Sequence, residues 1–121
     1  MAAPNKRILV VEDEFMIAMH IEDTLGQLGH QVCLAADVGE ARTYLDAGGI
    51  DLAIVDYHLQ GSTTCGLVQR LNDLKVPFIV CSGTAGLEEL GEAFQNSRFL
   101  AKPFTTDGLL AAVENAAANS H

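Results

Sequence analysis

Basic residues are scarce in this chain. Lys and Arg together number 7 against 16 Asp and Glu, a formal net charge of -9. A surface of that sign repels phosphate backbones, which argues against non-specific nucleic-acid binding. The one basic pair is Lys6-Arg7. Cysteine is also sparse: Cys33, Cys65 and Cys81 are odd in number and form no Cys-x-x-Cys pair. That argues against a disulfide framework and a zinc site, and for a reducing, cytoplasmic setting. No apolar run approaches the length of a membrane span, and Met1 to Arg7 does not open a signal peptide. Linkers, low-complexity tracts and internal repeats are absent. No Gly-x-Gly-x-x-Gly follows the first strand, which disfavours dinucleotide binding.

What remains is one domain over residues 1–121, with 49% hydrophobic residues to build a core. Short apolar runs alternate with helical periodicity. Strands are expected at Arg7–Val11, Gln31–Ala35, Asp51–Tyr57, Pro77–Ser82 and Arg98–Ala101. Helices are expected at Glu14–Leu28, from Asp37 to the glycines at 48 and 49, at Ser62–Asp73, at Leu87–Phe94 and at Thr105–Ala118. Ala18, Ile21, Leu25 and Leu28 share a face of the first helix, which Gly29 ends. Asp37 caps the second. Asp51 reads as a turn or capping residue, and Glu14 as a first-turn acid complementing the helix dipole. Hydrophobic strands separated by helices require a parallel sheet covered on both faces. Right-handed crossovers make it doubly wound.

The chemistry-bearing residues follow the strands. Glu12 and Asp13 come after the first, Asp56 ends the third, Ser82 ends the fourth and Lys102 follows the fifth. Carboxyl ends of parallel strands share one edge, so these groups should converge there. Crowded carboxylates repel unless neutralised, and an oxygen-only donor set suits a hard cation such as Mg²⁺. An aspartate can attack phosphorus to give an acyl phosphate. Lys102 and the Ser82 hydroxyl can steady the phosphoryl oxygens.

Ile8-Leu9-Val10-Val11-Glu12-Asp13-Glu14, the Asp56 strand end, Ser82 and Ala101-Lys102-Pro103-Phe104 together resemble the signature of response-regulator receiver domains, CheY-like proteins of two-component signalling. The resemblance spans the chain. It implies a flavodoxin-like α/β fold, a doubly wound five-stranded parallel sheet of order 2-1-3-4-5 flanked by five helices. It also implies that Asp56 is the phosphoacceptor, and that Glu12, Asp13, Asp56 and the His58 backbone carbonyl bind Mg²⁺. Ser82 and Lys102 then contact phosphate, with Lys102-Pro103 in the cis form. Ser82 and Phe99 act as switch residues. His58 and Thr84 tune hydrolysis at the phosphate entrance. Pro77 to Thr84 (PFIVCSGT) is similar in part to a stand-alone receiver subclass reading Pro-Phe-x-Phe-Ala-Thr-Gly-aromatic, often paired with HWE or HisKA2 kinases.

The resemblance implies a phosphoprotein switch in a phosphorelay, not an enzyme turning over a separate substrate. Its donor is a sensor histidine kinase or a histidine phosphotransfer protein. A downstream protein reads the helix four, strand five and helix five face, with no nucleic acid or membrane involved. These residues encode no output domain, so action through a partner, as a shuttle or as a phosphate sink is expected. Two other classes stay open: a receiver-like interaction module that is never phosphorylated, and a small phosphatase with an aspartyl nucleophile. The phosphatase is disfavoured because His58 stands where the acid/base Asp would be. Gly83, Gly86 and Gly91 mark the segment from strand four to helix four as the most mobile.

Overall fold

The computed structural model describes residues 6–56, 58–59, 62–63, 65–82, 98–101 and 105–118. Along these the elements are β1 (Arg7–Val11), α1 (Phe15–Gln27), β2 (Gln31–Ala35), α2 (Val38–Ala47), β3 (Leu52–Asp56), β4 (His58–Leu59), β5 (Ser62–Thr63), α3 (Cys65–Asp73), β6 (Phe78–Ser82), β7 (Arg98–Ala101) and α4 (Thr106–Ala118). Five strands form one sheet in the order β2-β1-β3-β6-β7. Every neighbouring pair in it is parallel. This is the order the family resemblance implies. Four helices are present among the described residues. The helix expected at Leu87–Phe94 lies outside them, as does the segment expected to be most mobile.

Alternating side chains build two cores, one on each face of the sheet. Leu9, Val11, Val55 and Val80 pack with Ala41 and Leu45 of α2 and Leu67, Val68 and Leu71 of α3. Ile8, Val10, Ile54 and Ile79 pack with Ile21 and Leu25 of α1 and Leu109, Val113 and Ala116 of α4. Because both faces are covered, β3 is buried along its whole length. That explains why it reads as a continuous apolar run rather than as an alternation.

Local rules account for the helix ends. Asp37 caps α2: its Oδ1 accepts the Glu40 N–H at 2.8 Å, and Glu40 Oε1 reaches back to accept the Ala36 N–H at 2.8 Å. Removing the acceptor leaves a helix N–H unsatisfied, so Asp37→Ala should cost about 1 kcal/mol. Urea unfolding will show this as a lower midpoint at unchanged slope. Helix α1 ends as expected at Gly29, whose φ is 89°. The Gly29 N–H donates to the Gly26 carbonyl and the His30 N–H to the Leu25 carbonyl, a Schellman pair. Helix α3 closes in the same way, with Lys75 at φ 59° in the position glycine prefers. The left-handed region costs an L-residue roughly 1–2 kcal/mol, partly offset by the entropy glycine loses on folding. Lys75→Gly should therefore stabilise by about 0.5–1 kcal/mol, measured in the same denaturation experiment.

Several expectations need correction. Leu28 does not join the buried face of α1: it is the C-cap, 53% exposed, because the chain has begun to turn. Glu14 is the N-cap of α1 with extended backbone rather than a first-turn acid, and its side chain makes no capping bond. Helix α3 starts at Cys65, not Ser62. Ser62 and Thr63 instead pair antiparallel with His58 and Leu59. Asp51 precedes β3 rather than opening it. Its carboxylate accepts the Arg7 N–H at 2.9 Å, and its own N–H donates to the Arg7 carbonyl at 2.8 Å, the structural role expected of it. Among the described residues no helix is long and apolar enough to cross a membrane.

Candidate functional site

The site follows from strand alternation carried one residue past the apolar core. On β1, Ile8 and Val10 face the α1/α4 side of the sheet. On β3, Leu52 and Ile54 do the same. The next residues in the two rows are Glu12 and Asp56. Val11 is in register with Val55, so these acids emerge from adjacent strands at the same level. The Glu12 N–H donates to the Ala35 carbonyl at 3.0 Å, which continues the sheet ladder to that residue and fixes its backbone.

Carboxylate oxygens of Glu12, Asp13 and Asp56 all lie within 4.8 Å of one another. Glu12 and Asp56 are each 5% exposed, and they are the buried charged groups of the described residues. Asp13 is the more open of the three. Oxygen Oε2 of Glu12 accepts the Glu14 N–H at 3.2 Å, so the N-cap of α1 holds that carboxylate in place. Glu14 itself is not a member of the cluster.

Two buried carboxylates and a third at this range repel strongly unless a cation or hydrogen-bond donors offset them. The donors are all hard oxygens, with no sulfur or imidazole in the cluster. That set fits Mg²⁺ or another hard divalent cation and does not suit zinc. The residues present therefore fit the ion the sequence implied.

The opposite side of β3 carries the rest of the edge. Asp56 is in register with Cys81, and the next rung pairs Ser82 with Ala101. The end of β6 thus lies beside Asp56, with the end of β7 one strand further along the same edge, and β3 is the middle strand of the sheet. Phe99 pairs with Val80 on the rungs below. Lys102, Pro103 and Thr84 lie outside the described residues, as do the side chains of His58, Ser82 and Phe99. The backbone of His58 belongs to the two-stranded β4-β5 ribbon that follows Asp56.

This ribbon is the feature the sequence reading missed. A signal for it was there: Gln60 and Gly61 separate the two short runs, and a two-residue loop with glycine favours a hairpin.

Comparison with known proteins agrees with this geometry. The virulence transcriptional regulatory protein PhoP of Salmonella typhimurium is 31% identical over 112 residues, which cover 89% of this chain and 50% of PhoP. The chain spans about half the length of the curated relatives it matches. The solution structure of SdrG from Sphingomonas melonis Fr1 is 33% identical, with a TM-score of 0.78 over 91% of this chain and 94% of SdrG. A CheY-like receiver domain protein from Methanospirillum hungatei shares the fold at a TM-score of 0.87 and 24% identity, over 97% of each chain. The family model for the response regulator receiver domain matches residues 8–114. Parallel strands in the order β2-β1-β3-β6-β7, an acid cluster at their carboxyl tips and a family match across nearly the whole chain lead to one conclusion: this chain belongs to the response regulator receiver domain family.

Proposed function

We propose that Asp56 accepts a phosphoryl group from a phosphohistidine donor and that the resulting acyl phosphate switches partner binding. The observation that carries this is the clustering of Asp56, at the tip of the middle strand, with Glu12 and Asp13. A carboxylate oxygen of Asp56 attacks phosphorus as the P–N bond of phosphohistidine breaks. The imidazole leaves with the bonding electron pair and takes a proton from solvent. Glu12, Asp13, Asp56 and the His58 carbonyl are the proposed Mg²⁺ ligands, and when bound the ion offsets charge on the transferring oxygens.

Ser82 and Lys102 are proposed to contact the phosphoryl group from the other side. In support, β6 and β7 end on the Asp56 edge, at Ser82 and at Ala101, the residue that precedes Lys102. The added charge of about -1.5 to -2 would draw these groups inward. Phe99, on β7, would then change its packing and pass the change to the face a downstream protein reads. His58 and Thr84 are proposed to set how easily water reaches the acyl phosphate. The donor is a sensor histidine kinase or a histidine phosphotransfer protein. The partial likeness of Pro77 to Thr84 to the stand-alone subclass favours a kinase of HWE or HisKA2 type.

Acetyl phosphate with Mg²⁺ tests the reading. Intact-mass analysis should show one added phosphoryl group, and borohydride trapping should map it to the peptide containing Asp56. No added mass, or addition at another residue, would overturn it.

A further inference from the structure

We propose that the hydrogen bond between the Lys6 backbone and the His30 imidazole is a pH-operated latch joining the start of β1 to the α1–β2 turn. It stands at the amino ends of the strands, the sheet edge opposite Asp56. The Lys6 N–H donates to His30 Nδ1 at 3.0 Å, across 24 residues of sequence. The Lys6 carbonyl accepts the Gln31 N–H at 2.9 Å. Two consecutive residues thus hold both backbone groups of Lys6, one by a side chain and one by the sheet ladder. The ladder bond does not titrate; the imidazole bond does.

An Nδ1 that accepts a hydrogen bond carries no proton, so this contact requires the neutral ring with its hydrogen on Nε2. Adding a proton to Nδ1 turns the acceptor into a donor facing another N–H, and the contact must open. The ring is oriented for this by the Schellman turn at Gly29, in which the His30 N–H is itself bound to the Leu25 carbonyl. The charge that acts on it, that of Lys6, opposes the proton. Lys6, the charged neighbour on the segment leading into β1, disfavours a second cation. On the last turns of α1, Asp23 is held by the Gln27 amide at 3.1 Å. On β1, the Arg7 guanidinium donates to the Gly48 carbonyl, and the Arg7 backbone N–H donates to the Asp51 carboxylate. Among the described residues no carboxylate pairs with the ring. Partial burial first, then the Lys6 ammonium, hold the imidazole below its ordinary value of 6.5.

The direction of the pH effect follows. With the folded ring below the unfolded one, the latch contributes its full stability well above pH 6.5. Its contribution declines as pH falls from there through the folded ring's own midpoint.

The test is an NMR titration of the full chain from neutral to mildly acid pH, following the His30 ring and the Lys6 and Gln31 amides. The expected result is one shared midpoint, below 6.5, for the ring and the Lys6 amide. Lys6 should lose hydrogen-exchange protection several-fold through that midpoint, while Gln31 keeps its own. His30→Gln supplies a side-chain acceptor that does not titrate, and should abolish the Lys6 transition while other amides stay in place. A Lys6 amide that is flat while the ring titrates would overturn the latch. So would a ring midpoint at or above the ordinary histidine value, or a Lys6 transition that persists in His30→Gln.

Discussion

Asp56→Ala should gain no mass from acetyl phosphate and Mg²⁺ under conditions in which the wild-type chain becomes phosphorylated. Three carboxylates share the cluster, so proximity alone does not identify the nucleophile. Position does. Glu12 and Asp13 both follow β1, and Glu12 is held by the Glu14 N–H. Asp56 ends β3, which has β1 on one side and β6 on the other. Only that strand tip has the acids following β1 on one flank and the end of β6, with β7 beyond it, on the other. The loss should be chemical rather than structural. Alanine leaves the backbone ladder of β3 intact, and it removes a buried charge from a crowded cluster. Far-ultraviolet circular dichroism should therefore match the wild type. Persistent phosphorylation of the folded variant would move the acceptor elsewhere and end the Asp56 assignment.

The acidic cluster was legible because two apolar runs end in register. The continuous apolar runs of β1 and β3 give way to acid at Glu12 and Asp56, one rung past Val11 and Val55. Strand ends of a parallel sheet share an edge, so the break on each strand locates the same place in space. The Asp37 cap and the Gly29 stop were readable for a similar reason: each depends on chemistry within a few residues. What the sequence hid was decided by competition at element boundaries. Ser62 is a good N-cap type, yet the chain uses Ser62 and Thr63 to pair with His58 and Leu59 before α3 begins at Cys65. Glu14 suits a first helical turn, yet its backbone N–H is drawn to Glu12, and the helix starts one residue later. Leu28 fits the apolar stripe of α1, yet the turn at Gly29 carries it out of the core. In each case a different backbone hydrogen bond outweighed a weak local preference.

Asp13→Asn should reverse its stability ranking against the wild type when Mg²⁺ is added. Without a divalent cation, the three carboxylates within 4.8 Å repel one another, and this opposes folding by whatever part the hydrogen bonds to them leave uncancelled. For one pair at that range an effective dielectric near 20 gives roughly 3–4 kcal/mol of repulsion, an upper bound. Asp13 is the most open of the three, so screening by water reduces what its neutralisation returns. A gain of about 1–2 kcal/mol is expected in chelator, or a rise of roughly 3–8 °C in melting temperature for a chain of this size. Asparagine has nearly the same shape as aspartate, so packing is unchanged and charge is the variable. With Mg²⁺ in excess, the wild type gains by linkage, about 2.7 kcal/mol at a hundredfold excess over the dissociation constant. The variant lacks a charged oxygen donor and gains less, because a hard cation draws most of its affinity from such donors. Two urea unfolding series, one in chelator and one in Mg²⁺, should therefore give opposite orders of stability. If Asp13→Asn were the less stable chain in chelator, repulsion would not govern the cluster. If both chains responded equally to Mg²⁺, Asp13 would not be a ligand.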